Sequence, residues 1–172
     1  ASAGDRLVMV LSINDSTRQV GVPTSGVTGW TLLESETSGS MQTLVFTRVA
    51  AASDAGRTVR FTMDAAAKYT LTLAAYGGDS LAPQVSKASE STLGTDHVTP
   101  ATTAGAGDWV VSYWADKSST TTGFTLPAEI THREGACAPN AGRICSVLAD
   151  SGAGVTAGSQ GALTAAADAT SA

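Results

Sequence analysis

The sequence predicts an all-β protein, an antiparallel β-sandwich of jelly-roll or immunoglobulin-type topology built from two related halves, and three observations predict it. Short segments alternate apolar and polar side chains with period two, the signature of strands with one buried face. They recur at short intervals between Gly-, Ser-, Thr- and Asp-rich turn clusters, with no long helical periodicity among them. The third observation is internal: the first third of the chain is written again in the last third. Gly4-Asp5 opens the apolar run Leu7-Val8-Met9-Val10-Leu11, and Gly107-Asp108 opens Trp109-Val110-Val111-Ser112-Tyr113-Trp114. Val22-Pro23 is matched by Leu126-Pro127, Val45 by Val147, Ala55-Gly56 by Ala157-Gly158 and Phe61-Thr62 by Leu163-Thr164. Two halves that cannot bury their apolar sides alone are expected to pack face to face. The expectation is one domain over residues 1–172, with a pseudo-repeat of 4–76 and 107–172.

In chain order, residues 7–13 and 44–49 are almost continuously apolar and read as central strands covered on both faces, as do residues 109–115. Residues 30–34 form a shorter candidate. Residues 50–56 suit one helical turn capped by Ser53 or Asp54. Val59, Phe61 and Met63 share one side of a strand, and residues 69–76 alternate so that Tyr69, Leu71, Leu73 and Ala75 share the apolar side of another. A turn is expected at residues 77–80, then strands at 85–88, 129–133 and 144–149. In the repeat, the chain stops at Ala172, about where the partner of strand 69–76 would begin. A last strand is therefore expected to be missing, leaving an open sheet edge for another segment or subunit. The chain reads as an excised piece of something longer rather than as a mature product.

Charged residues make up 15% of the chain and the formal net charge is -5, so no basic field draws nucleic acid or anionic lipid. No apolar run reaches the roughly 20 residues of a membrane-spanning helix, so no membrane insertion is expected. Cys137 and Cys145 flank a turn-rich segment, which favours a disulfide and an oxidising, extracellular compartment. Two free buried thiols are the alternative, and two thiolates without nearby histidines fall short of a zinc shell.

His97 and His132 are read as surface side chains. No serine stands in a Gly-x-Ser-x-Gly elbow, and the carboxylates border turns rather than forming a pair, so no catalytic residue is assigned. No cofactor is expected; a structural calcium held by scattered carboxylates and carbonyls stays open, although no calcium loop is present. Trp30 and Trp109 are expected in the core, whereas Trp114 serves equally as a core anchor or as an exposed ring that stacks on a sugar. The loop after it, Asp116-Lys117-Ser118-Ser119-Thr120, reads either as a polyol-binding rim or as a solvated turn. Trp114, Asp116, Lys117, Ser118 and Thr120 are the candidate ligand-binding residues.

On Gly29-Trp30-Thr31-Leu32, residues 69–76, the run from Trp109 to Thr121, and Arg143-Ile144-Cys145 through Asp150-Ser151-Gly152, the chain resembles an accessory module of secreted multidomain actinobacterial proteins. Such modules stand beside polycystic-kidney-disease-type repeats or β-propellers. The resemblance implies an extracellular β-sandwich that continues into one more apolar strand, and it carries over no catalytic residue. Similar sandwiches occur on phage virions. The expected function is a non-catalytic secreted module for binding polysaccharide or a cell-surface glycan. The alternatives are a structural subunit of a filament, surface layer or virion that self-assembles by strand addition, and a hydrolase.

Overall fold

The protein is all-β and antiparallel, and a computed structural model describes residues 1–78, 83–138, 140 and 142–171. The turn expected at residues 77–80 and the turn between the two cysteines therefore lie partly outside the described residues. The strands are β1 (Arg6–Ile13), β2 (Ser25–Gly26), β3 (Thr31–Ser38), β4 (Met41–Val49), β5 (Val59–Arg60), β6 (Tyr69–Tyr76) and β7 (Gly94–Val98). They continue as β8 (Thr102–Ala104), β9 (Val111–Ser118), β10 (Phe124–Thr125), β11 (Thr131–Cys137), β12 (Arg143–Asp150), β13 (Gly158–Gln160) and β14 (Thr164–Ser171). No α-helix occurs among the described residues; residues 52–54 make one 3₁₀ turn, where the Asp54 carboxylate accepts a bond from the Ala51 N–H at 2.7 Å.

Two central sheets lie face to face. The first runs β3-β4-β1-β6 and the second β11-β12-β9. Val8, Val10 and Val45 from the first meet Leu148, Val111 and Tyr113 from the second. Hydroxyls cross the same interface: Ser12 Oγ, 2.8 Å from Thr43 Oγ1 within its own sheet, lies 2.9 Å from Tyr113 Oη of the other, and Ser146 Oγ donates to Thr70 Oγ1 at 2.9 Å. Each central sheet has an outer layer on its other face. Over the first, Leu7, Met9, Leu11, Leu44 and Phe46 pack with Trp30, Phe61 and Met63. Over the second, Trp114, Val147 and Ala149 pack with Ala165 and Phe124 of the layer β10-β14-β7. β1 is buried along its whole length because it lies between β4 and β6 and between two layers, as its unbroken apolar run requires.

The two central sheets share order and irregularities. β3 pairs with β4 through a register shift between Leu32 and Glu34, and β11 pairs with β12 through one between His132 and Glu134. Aligning these bulges sets Phe46 against Ala149 and Val45 against Leu148, one position away from the Val45–Val147 match read in the sequence. Leu11 opposite Leu44 then corresponds to Trp114 opposite Val147. Asp64 and Asp168 also match: the carboxylate of each accepts from the backbone N–H of a residue in the loop opposite, Gln19 and Thr122 respectively.

The departures from expectation have physical causes. β9, expected as a central strand, stands at a sheet edge: β1 has β4 on one side and β6 on the other, whereas β9 has β12 alone among the described residues. In β6 the polarity is inverted. Thr70 and Thr72 are buried against β11 and β12, and Tyr69, Leu71 and Leu73 are 50%, 39% and 51% exposed, because the outer layer over β1 and β4 does not extend across β6. Residues 85–88 form no strand. β7, β8, β13 and β14 were not legible in the pattern, since Thr-, Ala- and Gly-rich segments carry little apolar alternation.

Candidate functional site

The open edge of β9 is the back wall of a groove of about 1350 Å³. One side wall is the interior face of β3 and β4, with Glu34, Glu36, Met41, Thr43 and Val45. The other is built by the β7–β8 region, with His97, Val98, Pro100 and Thr102, together with Leu163. Residues 83–90 run along the mouth and are tied to β3, where Lys87 Nζ donates to Glu34 Oε1 at 2.9 Å and to the Ser35 carbonyl at 2.7 Å and stands 3.1 Å from Glu36 Oε2. The Lys87 ammonium holds the Glu34 carboxyl below its ordinary range, and the two carboxylates raise Lys87 in turn. Ser38 Oγ donates to the Glu90 carbonyl at 3.2 Å and fixes the far end of this strap.

The sequence-predicted ligand residues face elsewhere. β9 alternates strictly, so Ser112, Trp114, Asp116 and Ser118 point into the second half's own interior. The Trp114 ring is 5% exposed and its indole N–H donates to the His97 carbonyl at 3.0 Å, which makes it a core anchor. Asp116 is 1% exposed and accepts from Thr121 Oγ1 at 2.6 Å. Ser118 Oγ accepts from the N–H groups of Thr120 and Thr121, each at 3.0 Å, and closes the turn. Lys117 points the other way and donates to the Asn14 carbonyl and to Ser40 Oγ, each at 2.7 Å, stitching the halves together. Asp116, Ser118 and Thr120 thus share one folded-back turn, while Trp114 and Lys117 join no exposed surface with them.

Trp109 is not in the core. It is 41% exposed, with its ring 5.7 Å from that of Tyr76 and beneath the Arg133 guanidinium, which lies 5.8 Å from the ring centroid. Arg133 grips the buried Asp150 with two bonds, Nε to Oδ2 at 2.6 Å and Nη2 to Oδ1 at 2.9 Å, and Tyr76 Oη donates to Oδ2 at 3.1 Å. Burial opposes ionisation of Asp150, but Arg133, the Gly152 N–H and Tyr76 outweigh it and hold the carboxyl below its ordinary value. Burial, then the Asp150 charge, pushes the Tyr76 phenol well above its usual range. No sequence signal marked this cluster, because its members are scattered along the chain and meet only when the sheets stack.

His132 is exposed, but His97 is mostly buried: Nδ1 lies 2.8 Å from Glu90 Oε2 and Nε2 lies 3.2 Å from Ser171 Oγ. The order of contacts is that of a Ser–His–carboxylate relay. Ser171, however, is 3% exposed and outside the groove lining, so its hydroxyl presents no face to a substrate. The contacts instead lock β7 onto β14. Cys137 and Cys145 are cross-strand partners in β11 and β12 and are joined by a disulfide. Among the described residues no group of three or more His, Cys, Asp or Glu side chains is placed to hold a metal ion, and no helix is long and apolar enough to cross a membrane. No family model, curated protein or solved structure matches this chain.

Proposed function

We propose that the protein is a non-catalytic extracellular module that works by taking up an extended polypeptide segment as an added strand along β9. The observation that carries this reading is the edge of β9, unpaired among the described residues, at the back of a walled groove, at the place where the first sheet has β6 beside β1. An open edge offers a row of backbone donors and acceptors to an extended chain laid along the groove. The groove exceeds the roughly 300–1,000 Å³ of small-molecule sites, which favours a polymeric occupant. The disulfide supports the extracellular setting. A glycan-binding role at the end of β9 draws less support, since Trp114 and Asp116 are buried.

The test is titration of the folded protein with extended peptides of alternating Thr and Val, read by amide hydrogen exchange. Slower exchange confined to β9 is expected. Unchanged β9 exchange with every extended peptide, alongside retention on a polysaccharide column, overturns the reading in favour of glycan binding.

A further inference from the structure

Resting on that strand-accepting reading, we infer that the segment taken up has the chemistry of β6: about eight residues, antiparallel to β9, with hydroxyl and small side chains on one face and apolar side chains on the other. The two central sheets match through their bulges, so the β1–β6 ladder is a template for the empty place beside β9. β1 pairs Ile13 with Tyr69, Leu11 with Leu71 and Met9 with Leu73. Carried onto β9, the occupant's counterpart of Tyr69 falls beside Asp116, that of Leu71 beside Trp114 and that of Leu73 beside Ser112. Antiparallel entry thus puts the segment's start at the Ser118 end and its finish near Trp109.

The walls fit that assignment. In β6, Thr70 faces the opposing sheet and accepts from Ser146 Oγ at 2.9 Å. The position matching Ser146 on the other sheet is Thr43, which lines the groove with a hydroxyl already 2.8 Å from Ser12 Oγ. A threonine at the corresponding place in the occupant completes the same hydroxyl pairing. The occupant's other face, leucine-like at two positions, meets Val98, which is 45% exposed, and Leu163. Acidic groups in the lining, Glu34, Glu36, Glu90, Asp108 and Glu129, outnumber Arg6 and Lys87, so a segment without acids is favoured. β6 has none and is preceded by Lys68. Eight residues of strand span about 26 Å, the length of β9 itself.

The test uses the whole folded chain and three synthetic peptides: residues 68–76 of this sequence, the same residues in scrambled order, and an alternating Thr-Val octamer. With the 68–76 peptide in excess, edge-facing β9 amides are expected to exchange about tenfold more slowly or better. A spin label on its first residue is expected to broaden signals around Asp116 and to spare those near Trp109. Protection by the Thr-Val octamer without protection by the 68–76 peptide overturns the inference and leaves the strand-accepting reading standing. Equal protection by the scrambled peptide, or broadening near Trp109 instead, likewise overturns the assigned chemistry or direction. No protection by any of the three overturns both.

Discussion

Asp150 shows how a single residue joins the two halves. Its carboxylate is 1% exposed, accepts two bonds from Arg133 of the neighbouring strand and one from Tyr76 of the opposite sheet. Removing it strands the guanidinium and the phenol. The Arg133 side chain is 41% exposed and rehydrates, which places the loss below that of a fully buried pair. Asp150→Ala is expected to cost about 2–3 kcal/mol in denaturant unfolding; a loss under about 0.5 kcal/mol contradicts the cluster's role. The pH dependence follows in sign. The folded-state value of Asp150 lies below its ordinary 3.8, so its stabilisation is complete above that value and drains away as pH falls through the lower one. Acid unfolding of the wild type is therefore expected to set in below about pH 4, and the Asp150→Ala variant is expected to show a flatter pH profile there. At this scale the sequence was least informative. The sequence left Trp114 open between a core anchor and an exposed ring, and residues 116–120 between a binding rim and a solvated turn; strand alternation turns Trp114 and Asp116 inward, and the Ser118 and Thr121 hydroxyls are used up in the turn.

Among the elements, the β11–β12 hairpin depends on its cross-link. The disulfide joins residues with a sequence separation of 8, and closing so short a loop restricts the unfolded chain by about 2.5 kcal/mol. Reduction, or Cys137→Ser with Cys145→Ser, is expected to lower stability by that order while leaving β1, β4 and β6 protected in hydrogen exchange. Loss of protection throughout the first sheet would instead mean that the stability of the whole fold depends on the hairpin. The strands most readily read from sequence were those with dense apolar runs: β1, β4, β6 and β12 stand within a few residues of where periodicity placed them. What periodicity left open was which face is covered. The Leu71 and Leu73 side of β6 looks like a core stripe, but burial is set by whether a second layer reaches that strand, a fact of tertiary packing that period two does not encode. β7 and β14 escaped notice for the opposite reason, because their covering side chains are Ala, Thr and His.

For the molecule as a whole, the match between the two central sheets organises everything else. The same order, the same bulge and the same facing hydroxyls recur, and one position is filled in the first sheet and, among the described residues, empty in the second. β9 matches β1, which is paired on both sides, yet it stands at a sheet edge among the described residues, a difference between matched positions that an added strand removes. The groove beside it lies on the interior face of β3 and β4, where Met41 and Val45 are half-covered. The most direct measurement appends the sequence of β6, residues 69–76, after residue 172 and compares amide exchange along β9 with that of the parent chain. Slowing of the edge-facing β9 amides by about tenfold or more, with a higher unfolding midpoint, is the expected result. β9 exchange indistinguishable from the parent, with the appended residues remaining unprotected, would contradict the idea that this sheet is built to take one more strand.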